Sequence, residues 1–329
     1  MCGVCGCADT ANEVTMTDLA SGKTSLLRKG MAHLNDHVDA HDHPHNHDHS
    51  HPHSHSDGHS HTHPHDHAHG HDHHHRHPHS HDDGHSHTHP HDHLHPHAHG
   101  NDHHHAHGSD QRVVALEAAI LGKNDAIAAR NRGWFEGRGV LALNFVSSPG
   151  SGKTALLEAT IRALKDKVSI NVIEGDQMTS NDAIRIREAG APAIQINTGA
   201  GCHLEADMVA EAVKSLDPKP GSILMIENVG NLVCPAMFDL GEAMKVAVIS
   251  TTEGEDKPLK YPHMFRAVQI VIINKMDLAK HVDFDESACR ANIASVNPNA
   301  EIIGLSARTG QNLSDWTSRL EKMLSDVRL

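Results

Sequence analysis

Seven short apolar runs, most of them followed by a helical stretch, limit what this chain can fold into. They are VLALNFV (140–146), INVIEG (170–175), AIQINT (193–198), SILMIEN (222–228), VAVIST (246–251), QIVIINK (269–275) and AEIIGLS (300–306). A strand that is apolar throughout needs cover on both faces, as in a parallel sheet layered between helices. Helical patterns lie between several of them, in ALLEATIRALKD, in EADMVAEAVKSL and around 287–293, and VVALEAAILGKNDAIAARNR precedes the first. The alternation predicts an α/β fold, a mostly parallel sheet covered by helices on both faces.

Composition restricts that fold to the C-terminal two thirds. All eight aromatic residues lie after residue 133, and 35 of the 38 histidines fall between His33 and His107. The histidine tract alternates His with Asp, Ser, Pro, Gly and Ala and has almost nothing apolar to bury, so it is expected to be disordered without metal. Its internal repeat, DGHSHTHPHDH at 57–67 and again at 83–93, therefore reads as tract expansion. Three segments follow: a Cys-rich start over 1–32, a His-rich tract over 33–109 and a nucleotide-binding domain over 110–329, the first two forming a disordered metal-binding extension. The formal charge of −14, with no basic cluster, argues against nucleic acid as a partner. No apolar run reaches membrane length, and the start lacks the basic and apolar regions of a secretory signal. A cytoplasmic location follows as the expectation, and there six cysteines read as metal or redox sites.

The first strand runs into SSPGSGKT (147–154) and then a helical pattern, the context of a phosphate-binding loop and so of a P-loop NTPase. Gly150, Ser151, Gly152 and Ala155 would place backbone N–H groups around phosphates, Lys153 would reach the β and γ phosphates, and the Thr154 hydroxyl would ligate Mg²⁺. Ser147 departs from the pattern, standing where the motif has its first glycine. A second SGKT at 21–24 has no apolar strand before it and reads as a decoy. NKMD (274–277) follows a strand, so the Asp277 carboxylate can take two hydrogen bonds from guanine, with Asn274 at the other edge and the Lys275 stem over the base. Adenine lacks those paired donors. Ser306 and Ala307 follow the last strand, where the Ala307 N–H is expected at guanine O6. In IENVGN (226–231) the acid Glu227 would join the Mg²⁺ shell and the Gly230 N–H would sense a γ-phosphate. Asp176 is either a second Mg²⁺ acid or an ordinary turn residue.

Two further places carry metal-ligand chemistry. MCGVCGC sets Cys2, Cys5 and Cys7 at a spacing that lets three thiolates converge on one soft or borderline ion. Cys202 and His203 stand side by side at the start of a helix, and Cys234 lies four residues beyond Gly230. They are either core residues or a site held partly by a nucleotide switch, in which case metal and nucleotide affinities are reciprocally coupled.

Taken together, MCGVCGC, the His tract, SSPGSGKT, GCH, IENVGN with Cys234, and NKMD resemble the HypB family of nickel incorporation proteins, GTPases of the SIMIBI class. The resemblance implies slow Mg²⁺-dependent hydrolysis of GTP to GDP, coupled to delivery of Ni²⁺ to the large-subunit precursor of a [NiFe] hydrogenase. It also implies the accessory protein HypA as partner and a GTP-dependent homodimer. Cys2, Cys5 and Cys7 would be the tight nickel site, and Cys202, His203 and Cys234 a nickel or zinc site. Storage in the tract from His33 to His107 rests on composition. The alternatives are a urease-maturation type GTPase, whose metal site is expected as Cys-Pro-His, and a metal-storage protein with a secondary GTPase domain.

Overall fold

The computed structural model describes residues 13–28, 49–54, 60–65, 76–80, 86–90, 107–176 and 181–327. Contacts divide the chain into two units, 35–107 and the remainder. The remainder begins with β1 (Val14–Asp18) and β2 (Lys23–Arg28). Within the histidine tract lie β3 (His49–Ser54), β4 (Ser60–His65), β5 (Arg76–Ser80) and β6 (Ser86–Pro90). They pair as two antiparallel hairpins of like register, Ser54 opposite Ser60 and Ser80 opposite Ser86. The sequence repeat is thus a repeat of strand pairing. Its signal was the period-two alternation of His, which strands share, and not buried apolar residues.

The main unit continues through α1 (His107–Arg138), β7 (Leu141–Ser147), α2 (Lys153–Leu164), β8 (Ile170–Asp176), α3 (Asn181–Ala189), β9 (Ala193–Asn197) and α4 (Ala206–Leu216). It closes with β10 (Ile223–Gly230), α5 (Cys234–Met237), β11 (Met244–Ser250), α6 (Lys257–Lys260), α7 (Pro262–Ala267), β12 (Ile270–Asn274), α8 (Glu286–Val296), β13 (Glu301–Gly304) and α9 (Leu313–Val327). The seven apolar runs are β7 to β13, all parallel, in the order β13-β12-β11-β7-β10-β8-β9. Every residue of β7 is buried because its two faces serve two cores. Leu141, Leu143 and Phe145 pack with α2 and α9, whereas Val140 and Ala142 pack with Phe135 of α1 and Met208 and Val209 of α4.

The sheet does not stop at β9. β1 pairs antiparallel with β9, and β2 with β1, so the first SGKT lies in a hairpin turn and edge strand. Gly22 there has φ +69° and donates its N–H to Asp18 O at 2.8 Å, a tight turn and no phosphate loop. The decoy reading stands, but the separation of residues 14–28 from the nucleotide-binding domain does not. VTMTD is too short and polar to announce a strand, yet Val14 and Met16 alternate inward onto the α4 face.

Trp316 of α9 anchors the opposite face. It is fully buried, meets Phe145 edge-on at 6.1 Å and donates Nε1–H to Thr160 Oγ1 at 3.0 Å. Trp316→Ala is expected to cost about 3–5 kcal/mol of unfolding free energy, read from denaturant titration of the purified variant.

Candidate nucleotide and metal sites

Parallel strands bring their C-terminal ends to one edge, and there the predicted motifs meet. Gly150 and Gly152 adopt φ +77° and +92°, which L side chains rarely hold. A Cβ on Gly152 would also strike Asn274 Nδ2 at 2.5 Å. Lys153 begins α2 and is buried, its Nζ donating to Ser147 Oγ at 2.7 Å. The residue that departs from the glycine pattern therefore holds the lysine in place. Burial lowers the Lys153 pKa, opposed by the charges of Glu227, Asp182, Glu174 and Glu253.

β10 sits between β7 and β8 although it follows both in sequence. That crossover sets Glu227 directly beside Glu174, in register on neighbouring strands. Thr154 Oγ1 donates to Glu227 Oε1 at 2.8 Å. The other oxygen of Glu227, and Oε2 of Glu174, are buried with no hydrogen-bond partner among the described residues. Desolvation, then the charge of neighbouring carboxylates, pushes Glu174 up to about 9, and desolvation pushes Glu227 up to about 7. Asp176 lies two residues beyond Glu174 on the same face of β8, and its charge is among those acting on Glu174. The unpartnered buried oxygen of Glu227 beside the Thr154 hydroxyl, with Glu174 and Asp176 on the neighbouring strand, is a donor set that fits a hard divalent cation such as Mg²⁺. Glu174 is the acid that the sequence reading missed, because INVIEG reads as uninterrupted strand.

Asn274 joins the base loop to its neighbours. Its Nδ2 donates to Ser151 O at 3.0 Å and to Gly152 O at 3.3 Å, while its Oδ1 accepts from Lys275 N–H and from Ala307 N–H at 3.1 Å. Asn274 is thus a clasp between the phosphate loop, NKMD and the 306–308 turn. Lys275 Nζ donates to Gly150 O at 2.7 Å. Asp277 keeps a buried Oδ1 with no hydrogen-bond partner among the described residues. Ser306 is buried and accepts Thr309 N–H. Gly230 lies against Pro149 of the phosphate loop, where a Cβ would come within 3.1 Å.

Cys202, His203 and Cys234 converge on the other face. Their ligand atoms lie within 4.8 Å of one another, and all three residues are buried. The His203 ring packs on Phe238 at 3.8 Å between centroids. Four asparagines and a glutamate that the sequence did not single out frame this cluster. Asn228 Oδ1 accepts Leu204 N–H, Asn228 Nδ2 donates to Asn144 Oδ1, Asn144 Nδ2 donates to Glu242 Oε1, and Glu242 Oε2 accepts Leu240 N–H. From α1, Asn131 Nδ2 donates to both Leu240 O and Ala206 O, and Asn124 joins Ala206 N–H to Asp239 O. The circuit closes around Leu204 and Ala206, and its sequence signal was amides inside the apolar strands (Asn144, Asn228) and in helix α1 (Asn124, Asn131). Cys289, by contrast, is core, its thiol pushed by burial up to about 12. Cys2, Cys5 and Cys7 lie outside the described residues, as do most of the residues from His33 to His107.

Fold and edge together define a P-loop NTPase, with a metal-ligand cluster on the sheet face opposite the buried acids. Residues 141–304 match the family model described as CobW/HypB/UreG, nucleotide-binding domain. The chain is 63% identical over 213 residues to the hydrogenase maturation factor HypB of Rhizobium leguminosarum bv. viciae, covering 65% of this chain and 71% of that protein. Two solved structures are similar. HypB of Archaeoglobus fulgidus has TM-score 0.59 and 38% identity, over 62% of this chain and all of that one. HypB of Helicobacter pylori in complex with nickel has TM-score 0.58 and 40% identity, over 62% and 96%. The chain belongs to the HypB family of hydrogenase maturation factors. No helix among the described residues is long and apolar enough to cross a membrane.

The buried acids set a pH dependence. Both carboxyls titrate above the ordinary 4.5, so above that pH the folded protein holds protons that the unfolded chain has released. Without Mg²⁺ and nucleotide, the melting temperature should therefore fall as pH rises from about 4.5 to about 9. Glu174→Gln should flatten the upper part of that fall, read by calorimetry across the range.

Proposed function

We propose that this protein is a GTP-hydrolysing nickel chaperone. It holds Ni²⁺ at Cys202, His203 and Cys234 and yields it, under control of its nucleotide, to the [NiFe] hydrogenase large-subunit precursor with HypA as accessory. One observation carries this reading. Adjacent residues of a strand point to opposite faces, so Glu174 and Glu227 serve the nucleotide face while Gly175 and Asn228 serve the metal face. Leu204, next to His203, bonds to Asn228 and packs so closely on Gly175 that a Cβ there would meet its side chain at 2.8 Å. A shift of β8 or β10 at the acids is a shift at the cluster.

When bound, Mg²⁺ would be held by Thr154, Glu227 and Asp176 and would supply charge neutralisation at the β and γ phosphates. The chain itself supplies the rest. Backbone N–H groups of residues 150–155 cradle phosphate oxygens, and Lys153, held by Ser147, places its charge on them. Asp277 selects guanine. The thiols of Cys202 and Cys234 and the His203 imidazole suit nickel or zinc. The relative crystallised with nickel supports nickel as cargo. A homodimer in the GTP state and storage in the histidine tract belong to the same reading. A storage protein is the alternative, separated from it by deleting residues 33–107, since a delivery GTPase keeps working when nickel is plentiful.

The decisive measurement is nickel affinity of a chain lacking residues 33–107, with Cys2, Cys5 and Cys7 replaced by Ser, in GDP and in a non-hydrolysable GTP analogue. A difference of tenfold or more, about 1.4 kcal/mol of coupling, is expected, and Asn228→Ala should shrink it. Equal affinities in the two states sink the proposal. Separately, Asp277→Asn should weaken GTP binding roughly 10²-fold, because a charge-assisted pair of hydrogen bonds is lost. Xanthine, which has an oxygen where guanine has its amino group, should be favoured by the variant, and competition titrations read both effects.

A further inference from the structure

Ser148, the second residue of the phosphate loop, is held by a side chain that belongs to none of the nucleotide motifs. Its hydroxyl donates to Glu253 Oε2. Glu253 ends the single 3-10 turn Thr251–Glu253 that follows β11, and β11 lies beside β7 with Val248 opposite Ser147. The same turn touches the base loop, where Thr251 Oγ1 donates to Lys275 O at 2.9 Å. Lys257, the first residue of α6, pairs with the same Glu253 oxygen at 2.9 Å, and the two side chains are only 16% and 13% exposed. The Lys257 ammonium also lies 5.3 Å from the centre of the Tyr261 ring. Glu253 Oε1 is buried with no hydrogen-bond partner among the described residues. The hydroxyl of the loop and the ammonium of α6 thus meet at one carboxylate oxygen.

From this geometry we infer that Glu253 is a positioning residue of the nucleotide site: it anchors the entry to the phosphate loop through Ser148, and Lys257 cancels the charge that the anchor would otherwise set against the phosphates. This rests on the nucleotide reading of residues 147–154. The far half of the loop is tied from the base side, by Lys275 at Gly150 O and by Asn274 at Ser151 O and Gly152 O. Gly150 and Gly152 hold a backbone that L side chains rarely adopt, and N–H groups on such a loop stay aimed at one point only if both ends are fixed. A hydrogen bond to a carboxylate is roughly twice as strong as one between neutral groups, which suits an anchor. The same carboxylate acts against incoming oxyanions, and its field reaches Lys153, where Glu253 is among the acting charges. Lys257 turns that charge into one half of an ion pair, whose field at the phosphates is far weaker. Taking Lys257 away leaves the carboxylate uncompensated beside the loop. A glutamine at 253 would still accept from Ser148 without carrying charge.

The test titrates GDP, with Mg²⁺ present, into the full chain and three variants of it by calorimetry. Ser148→Ala removes the anchored hydroxyl and should weaken GDP binding about tenfold. Lys257→Met keeps a long side chain over Tyr261 but leaves the Glu253 charge alone, and should also weaken binding about tenfold. Glu253→Gln/Lys257→Met should restore affinity to within about threefold of the unaltered chain, although the ion pair is gone. That rescue distinguishes positioning from a merely structural role, under which the double variant binds no better than Lys257→Met. Ser148→Ala deletes a single hydroxyl and keeps the test decisive should Lys257→Met fail to fold. Either single variant binding as tightly as the unaltered chain, or a double variant no tighter than Lys257→Met, overturns the inference and leaves the nucleotide site standing. An unaltered chain that takes up no GDP overturns the reading beneath it as well.

Discussion

Two carboxylates side by side inside a sheet are electrostatically expensive, and the arrangement of this protein's strands forces them together. β10 could have added to an outer edge; instead it divides β7 from β8, and its register sets Glu227 beside Glu174. Burial then raises both carboxyls above the ordinary range, and the charges of Glu227 and Asp176 raise Glu174 further. Ionising such a pair requires a counter-charge at hand. Lys153 is one, itself strained toward neutrality by burial, and a divalent ion is another. The phosphate loop, the acids and the lysine therefore form one electrostatic unit, whose charge balance changes when a metal-bound nucleotide arrives.

That unit is mechanically continuous with the opposite face. Gly175 and Asn228 are chain neighbours of the two acids, and each touches Leu204 of the cysteine-histidine loop. Asn228 continues through Asn144 to Glu242, and α1 returns through Asn131 and Asn124 to Ala206. Buried amides carry a heavy penalty when a partner is lost, so such a circuit moves as a whole or not at all. A closed loop of this kind also explains why the cysteine-histidine cluster needs no long secondary structure of its own: α5, which begins at Cys234, is only Cys234–Met237.

The clasp made by Asn274 shows how a motif residue can carry a structural role that its spacing in the sequence does not announce. NKMD after an apolar strand is specific enough to mark a candidate base loop. Asn274, however, is spent on the backbone of Ser151 and Gly152 and on Ala307 N–H. It links three loops that are far apart in sequence, a task invisible to spacing. Ser147 is the converse case. It looks like a flaw in the phosphate-loop pattern, and its hydroxyl turns out to hold the lysine.

The order of apolar runs and helices, the phosphate loop, NKMD and the Cys202-His203 pair were readable from sequence, because each is local: a period, a spacing, a neighbouring pair. Seven strands were placed to within a few residues for that reason. Tertiary structure alone decided which strands became neighbours, and so which acids met, which amides closed a circuit and where Cys234 came to lie. It also added VTMTD and KTSLLR to the sheet. VTMTD pairs with β9, about 180 residues away, and KTSLLR pairs with VTMTD as the edge strand; a pairing partner at that separation leaves no mark on local composition. Sequence determines what each segment can become, since propensity and burial act over a few residues. Long-range register determines what each segment touches, since that free energy exists only once the sheet has formed.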